Sequence, residues 1–143
     1  MENTGFEANP VRTEGTYSKY NSLDDRIDGL HYYTTYIKFG IGRARFDASQ
    51  EIRNGHITRE EGIALAHKYE GEFPHTYFQD IIDFMGISED EFWRRTDQAR
   101  SAHLWRQKSG KWVLWQELPK LQGKINDDGL PHAERIAASV TKP

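Results

Sequence analysis

The chain has 143 residues, a net charge of −3 and a pI near 6.1, so its overall charge gives no reason to expect nucleic-acid binding. It contains no cysteine, which excludes disulfides and thiolate chemistry, and no apolar run approaches the roughly 20 residues of a membrane span. Aromatic residues make up 13% of the chain, which predicts one small domain with an aromatic core.

Three segments differ in composition. Residues 1–21 are polar and contain no basic or apolar signal-peptide region, so they predict an extended, mobile arm on a cytoplasmic protein. Residues 22–118 carry the apolar patterns of an ordered helical domain. Residues 119–143 predict a polar, disordered tail, with a weak helical pattern at 132–140.

The ordered domain opens with the pattern of a helix that begins after Ser22. Ser22 is a favoured N-cap, and two aspartates follow it beside the positive end of the helix dipole. Apolar side chains then recur in steps of three and four from Leu23 to Ile41, as on the buried face of an amphipathic helix. Gly40 predicts the end of this helix.

Three further helices and one short turn follow along the chain. Residues 48–53 predict a helical turn, and the T-x-x-E capping box at Thr58 predicts the start of the second long helix. The third helix is predicted at about residues 74–85. Ser88 is the predicted cap of the fourth.

The last ordered element is a predicted β-hairpin, in which residues 104–107 and 111–118 flank the turn Ser109-Gly110. The predicted fold class is therefore mainly α: a small domain of about four helices, closed by a C-terminal β-hairpin, with flexible polar tails.

The first candidate binding segment is Thr16–Tyr20. Lys19 offers a charged donor, while Tyr17 and Tyr20 offer ring faces and hydroxyls, so this segment could hold a sugar or a phosphate. A solvated arm before a helix explains the same composition.

The second candidate segment combines two glycines, Gly40 and Gly42, with three cations, Lys38, Arg43 and Arg45. Close backbone approach and positive charge suit an anionic group such as a nucleotide-sugar diphosphate. A lone G-x-G is a weak motif, and cations at the end of a helix also complement its dipole.

Polar side chains continue after this segment with Asp47, Gln50, Arg53, Arg59 and Glu60. The carboxylates could act as acid or base groups, but structural ion pairs are the better explanation from the sequence. The six histidines lack metal-binding spacing, so no metal site is predicted.

The strings EGTYSKYNSLDDRIDGLHYY and YIKFGIGRARFDASQEIRNGHITREEG resemble the C-terminal part of the N-acetyl sugar amidotransferases of bacterial surface-polysaccharide and LPS synthesis. Later strings, such as GKWVLW, are similar to the same family, and the resemblance covers roughly residues 5–118. In that family an N-terminal PP-loop domain binds ATP through an SGGKDS-type motif. ATP activates the amide of a nucleotide-linked N-acetyl sugar, and ammonia from a glutaminase then converts the acetamido group to an acetamidino group.

This chain contains neither an SGGKDS-like string nor a CxxC pair. The resemblance therefore implies a substrate-side or partner-docking C-terminal domain in O-antigen sugar synthesis that is not catalytic alone. It implies no cofactor bound by this chain, with ATP and Mg²⁺ bound in the complete enzyme. The implied partners are a PP-loop domain or subunit, a glutaminase subunit and a nucleotide-linked N-acetyl sugar.

The resemblance also implies substrate contacts from both strings, without assigning any catalytic residue. The implied substrate-binding residues are Tyr17, Lys19, Tyr20, Asp24, Asp25, Lys38, Arg43, Arg45, Asp47, Gln50, Arg53, Arg59 and Glu60. A stand-alone helical protein-interaction module is the alternative. A nucleic-acid binder that uses the arginines is a weaker one because of the net charge.

Overall fold

A computed structural model describes residue 5 and residues 7–120. These residues form five helices and one antiparallel hairpin, which confirms the predicted mainly α class with one helix more than expected. The elements are α1 Asp28–Phe39, α2 Arg43–Arg53, α3 Arg59–Tyr69, α4 Phe78–Met85, α5 Glu89–Gln98, β1 Trp105–Lys108 and β2 Lys111–Leu114. Most of the predicted tail, residues 121–143, lies outside the described residues.

Helix α1 begins at Asp28, well after the start predicted from Ser22. Ser22 has a φ of 56°, a left-handed conformation rather than the extended one of an N-cap. Leu23 and Ile27 are 41% and 45% exposed, so no burial draws the intervening segment into a helix. The predicted end is confirmed, because Gly40 caps α1 with a φ of 69°.

Helix α2 replaces the predicted short turn and begins at Arg43. Gly42 is its N-cap in an extended conformation, and the Gly42 N–H donates to the carboxylate of Glu70 at 2.7 Å. The second candidate binding segment is therefore divided between two helices: Gly40 ends α1 and Gly42 caps the start of α2.

The predicted caps of α3 and α5 are confirmed. Thr58 forms both halves of a capping box with Glu61. The Ser88 hydroxyl accepts the Glu91 N–H at 3.2 Å, whereas the Glu91 carboxylate binds arginines of its own helix instead of completing a box. Helix α4 is shorter than predicted and begins at Phe78.

The core consists of two clusters. The larger, aromatic-rich cluster joins α1, α4, α5 and the hairpin, and contains Leu30, Tyr33, Ile37, Phe78, Ile81, Ile82, Phe92 and Trp105. Within it the Trp105 indole N–H donates to the Ile37 carbonyl at 2.7 Å, which fastens the hairpin to α1. The smaller cluster joins α2 and α3 to the segment before α1, and contains Tyr17, Ala44, Ala48, Ile57, Leu65 and Tyr69.

Residues 9–21, the N-terminal strap, pack against the domain where an extended arm was predicted. Thr16 is fully buried and Tyr17 is 5% exposed. Arg12 donates two hydrogen bonds of 2.6 Å to the carboxylate of Glu72. The polar composition of the strap did not indicate this packing, because charged and hydroxyl groups hold the strap together with a single buried ring, that of Tyr17.

The Arg12–Glu72 pair makes the stability of the domain depend on pH. Burial by itself would raise the pKa of Glu72. Hydrogen bonds from Arg12 and from the Gly15 N–H act in the opposite direction, as does the positive charge of Arg12. Together they lower the pKa of Glu72 below its ordinary value of 4.5. A carboxyl group whose pKa is lowered by folding stabilises fully above its unfolded pKa, and this contribution is lost as the pH falls through the folded pKa.

We expect Arg12→Ala to lower the unfolding free energy at pH 7 by about 1–2 kcal/mol, a value reduced for the partial exposure of the pair. The difference from the wild type should shrink as the pH falls below about 5. Urea unfolding between pH 7 and pH 3 measures this. Arg26→Ala is the control, since Arg26 pairs with Asp80 only at an exposed site. A difference that stays constant across this pH range would contradict the assignment.

Candidate functional site

Asp47 on α2 is the centre of a buried polar cluster. Its carboxylate accepts the Thr16 hydroxyl at 2.6 Å, the Asn21 amide at 3.2 Å and Arg43 Nε at 2.8 Å. Arg43 Nη2 also donates to Asn21 Oδ1 at 3.1 Å. Three donors satisfy the carboxylate, so Asp47 ties the strap to α2 and fixes the Arg43 guanidinium.

Tyr17 lies in the smaller core cluster, with its ring centroid 6.5 Å from that of Tyr69. Its hydroxyl is buried and has no hydrogen-bond partner among the described residues. Burial, followed by the nearby charges of Glu51 and Asp47, raises the pKa of Tyr17 far above its ordinary range. The Tyr17 hydroxyl therefore stays neutral, and the residue is part of the core, where it is not accessible to a ligand.

The N-terminus of α2 holds an anion that the protein itself supplies. The Glu70 carboxylate accepts the N–H groups of Gly42 and Arg45 at 2.7 and 3.0 Å, and Arg45 Nε lies 3.0 Å from Glu70 Oε1. The Glu70 side chain is 3% exposed. A helix N-terminus stabilises negative charge in this way. The anion-binding chemistry expected near Gly42 is thus present, but Glu70 occupies it and Arg45 is paired.

An open pocket of about 520 Å³ lies between α1 and the start of α2. Its walls combine aromatic, apolar, polar and charged groups from Asp28, His31, Tyr32, Thr35, Phe39, Ile41, Gly42, Arg43 and Phe46. This Arg43 pocket contains one member of the predicted set of site residues.

Exposed aromatic rings characterise the Arg43 pocket. Phe39 is 57% exposed and Phe46 is 51% exposed. The Arg43 guanidinium carbon lies 5.2 Å from the centroid of the Tyr32 ring and 5.6 Å from that of Phe46. Because Asp47 and Asn21 hold Nε and Nη2, only Nη1 of Arg43 lacks an acceptor within residues 7–120. A fixed cation among accessible rings is suited to ligand contact.

The other predicted site residues are placed apart from this pocket. Lys19 donates to the Pro10 carbonyl at 3.2 Å, and Tyr20 is half-buried in the strap. Asp24 and Asp25 line a second pocket of about 460 Å³ between the strap and α4. The remaining members are exposed on α1, α2 and α3: Lys38, Gln50, Arg53, Arg59 and Glu60. The structure does not bring the predicted set together as one site.

Sequence analysis missed the aromatic side of the pocket. Phe39 lies off the apolar stripe of α1, and Phe46 lies beside arginines in a strongly polar helix. An aromatic residue off the buried stripe and next to cations is a signal that could have been used. Glu70 gave no local signal, because its backbone partners lie 25 and 28 residues earlier.

A second open groove, also of about 520 Å³, runs between α2, α3 and the hairpin. It shares Phe39 and Ile41 with the Arg43 pocket and continues along Ile52 and Ile63 to Trp115. Trp115 is 56% exposed and Ile41 is 50% exposed. This hairpin groove is the other uncovered apolar surface of interest for binding.

The described part of the chain has neither a cluster of metal-binding side chains nor a helix able to cross a membrane. Residues 7–120 contain no group of three or more His, Asp or Glu side chains arranged to hold a metal ion. Within the same residues, no helix has the length and apolar character that crossing a membrane requires.

Comparison of the sequence with protein families gives a match that covers most of the chain. A family model described as "LPS biosynthesis protein WbpG-like, C-terminal domain" matches residues 14–121. The matched range contains most of the strap, all five helices and the hairpin. Comparison with curated proteins found no match.

Proposed function

We propose that this chain, which belongs to the family of WbpG-like C-terminal domains of LPS biosynthesis proteins, is the substrate-side domain of an ATP-dependent N-acetyl sugar amidotransferase. The complete cytoplasmic enzyme converts the acetamido group of a nucleotide-linked N-acetyl sugar into an acetamidino group during O-antigen synthesis. A PP-loop domain or subunit binds ATP with Mg²⁺, and a glutaminase subunit supplies ammonia. This chain contributes substrate contacts and is not catalytic alone.

The Arg43 pocket is the observation on which this proposal rests. It presents a single arginine whose guanidinium is already held in place by Asp47 and Asn21. Holding the side chain in advance lowers the entropy lost when a ligand binds. Phe39 and Phe46 add accessible ring surface beside it. Such a site can orient a substrate for chemistry that another domain performs.

The buried carboxylates support a binding role rather than a catalytic one. Asp47 and Glu70 each accept several hydrogen bonds from groups of the chain itself. A carboxylate that is saturated by internal donors is not free to take a proton from a substrate. The chemical step is therefore assigned to the partner that carries ATP.

The hairpin groove favours the second candidate function, a protein-interaction module without a role in substrate binding. Its exposed Trp115 and Ile41 are suited to a protein interface, where buried aromatic residues contribute strongly. In the amidotransferase, the same groove is a surface for docking the ATP-binding domain or the glutaminase. The two functions differ in whether the Arg43 pocket matters for amidation.

Reconstitution of the amidation reaction separates these functions. The chain is combined with a PP-loop subunit, a glutaminase, ATP and a nucleotide-linked N-acetyl sugar, and acetamidino product is measured. We expect omission of the chain to abolish product formation. We expect Arg43→Lys to lower kcat/KM by about tenfold or more, because lysine cannot reproduce the planar fork that bonds Asp47, Asn21 and a ligand together.

Arg95→Lys is the control, since Arg95 lies exposed on α5, is not among the implied substrate-binding residues and lines neither the pocket nor the groove. It should leave kcat/KM unchanged. Full activity of Arg43→Lys in a reaction that still requires the chain would favour the interaction module. Full activity without the chain would refute the substrate-side domain and would favour a stand-alone interaction module.

A further inference from the structure

We infer that the Arg43 pocket binds the N-acetyl sugar ring of the substrate and not its diphosphate. This inference rests on the proposed function and specifies which part of the substrate the domain holds. It differs from the expectation drawn from the sequence, in which three cations around Gly40 and Gly42 suggested an anionic ligand.

The charge balance of the pocket argues against a diphosphate. Arg43 is its one arginine, and Asp47 already bonds to Arg43 Nε at 2.8 Å. Asp28 places a second carboxylate in the pocket wall. Arg45 is paired with Glu70 outside this pocket. Repulsion from the Asp28 carboxylate therefore opposes the attraction that Arg43 exerts on an anion in this pocket.

The aromatic composition fits a sugar ring. A pyranose has an apolar face of C–H groups that packs on an aromatic ring, and a rim of hydroxyls that needs both donors and acceptors. Phe39 and Phe46 supply accessible rings, and both line the pocket. An aromatic lining with a few placed polar groups is the usual make-up of a small-molecule site, and about 520 Å³ lies within the usual range of about 300–1,000 Å³.

The polar groups of the pocket are complementary to those of an N-acetyl sugar. Asp28 can accept hydrogen bonds from ring hydroxyls, and Thr35 can donate or accept. Arg43 can donate to the acetamido carbonyl or to a hydroxyl oxygen. Because the pocket offers both acceptors and donors, a neutral ligand satisfies both kinds of group, whereas a phosphate brings no donor for the Asp28 carboxylate.

Two anchors hold these groups in place before any ligand binds. The Tyr32 hydroxyl lies 3.0 Å from Ser22 Oγ and donates to Asp28 Oδ2 at 3.5 Å, which links Asp28 to the floor of the pocket. Tyr32 itself is 9% exposed. On the other wall, Asp47 fixes Arg43. Rigid placement of both walls favours a ligand of defined shape.

Binding of simple sugars to the whole chain tests this inference without ATP or partners. The ¹⁵N-labelled protein is titrated separately with N-acetylglucosamine, N-acetylgalactosamine and N-acetylmannosamine, and with UDP as the anionic probe. We expect at least one sugar to bind with millimolar affinity, the range for a ligand of few atoms, and to shift the amide signals of Gly42 and Phe46. UDP should leave those signals in place at the same concentration.

Two variants show whether the pocket carries this binding. Phe46→Ala should weaken sugar affinity about tenfold or more, because it removes one of the two exposed rings. Phe84→Ala is the control, since Phe84 is 81% exposed on α4 and does not line the pocket. It should leave the affinity unchanged.

The other outcomes overturn the inference without deciding the proposed function. Shifts caused by UDP and by no sugar would assign the pocket to the nucleotide. Absence of binding by all three sugars, or equal losses in Phe46→Ala and Phe84→Ala, would remove the pocket as a sugar site. In each of these cases the amidation assay still decides whether the domain belongs to the enzyme, so the two failures are distinguishable.

Discussion

Replacing Glu70 by alanine is expected to lower the unfolding free energy by about 3–5 kcal/mol. The change leaves the Arg45 side chain without its counter-ion and the N–H groups of Gly42 and Arg45 without an acceptor. The Glu70 side chain is only 3% exposed, so water does not replace these interactions at low cost. Urea unfolding followed by circular dichroism measures the effect.

Two variants separate charge from acceptor geometry in this prediction. Glu70→Gln keeps an oxygen acceptor for the α2 N-terminus and should be intermediate in stability. Glu91→Ala is the control, because Glu91 contacts Arg94 and Arg95 at 2.7 and 2.6 Å but does so at the surface. Its effect should be far smaller, as surface ion pairs are solvated and screened. If Glu70→Ala lowered the unfolding free energy as little as Glu91→Ala does, the Glu70 carboxylate would not be the group that stabilises the N-terminus of α2.

The contrast between Glu70 and Glu61 shows what a sequence can reveal. Glu61 caps α3 from three residues beyond Thr58, so a local pattern predicts the bond, and the structure confirms it. Glu70 caps α2 from 28 residues beyond Gly42, and no local pattern encodes that distance. As a result α2 was predicted as a turn at residues 48–53. Its first turn lacks the acidic residues that usually mark a helix start.

The start of α1 shows the opposite error. Ser22 and the aspartates after it have the composition of a cap, yet the helix begins at Asp28. Leu23 and Ile27 continue the apolar spacing of α1 but remain exposed. The helical periodicity of apolar residues therefore predicted a helix that starts too early. The helix ends at Gly40 and Gly86 were predicted correctly because glycine adopts the left-handed conformation of a C-cap more readily than any other residue.

The candidate site was predictable only in part. The sequence indicated the region from Lys38 to Asp47, and the Arg43 pocket lies there. The sequence could not show that Arg45 pairs with Glu70 whereas Arg43 lines the pocket. The positions of the two arginines depend on contacts with Glu70 after α3 and with Asn21 of the strap, which are distant in sequence. The residues predicted to bind were mainly charged, with Tyr17 and Tyr20 as the only rings, whereas the structure adds the exposed rings of Phe39 and Phe46.

Asp47 contacts both the strap and the arginine that lines the pocket. The coupling free energy between Asp47 and the strap can be measured with a double-mutant cycle. Thr16 is fully buried, and its hydroxyl donates to Asp47 Oδ2 at 2.6 Å. Asp47 Oδ1 accepts from Arg43 on the other side. Removal of the carboxylate therefore leaves the buried Thr16 hydroxyl and the Nε of Arg43 without their acceptor.

We expect Asp47→Ala to lower the unfolding free energy by roughly 2–4 kcal/mol, and Thr16→Val by about 1–2 kcal/mol. The double variant should lose less than the sum of the two, by about 0.5 kcal/mol or more, because both changes remove the same bond. A cycle of Thr16→Val with Asp80→Ala is the control, since Asp80 is exposed and pairs with Arg26. It should be additive within about 0.5 kcal/mol. Additivity in the Asp47 cycle as well would mean that Asp47 does not couple the strap to α2.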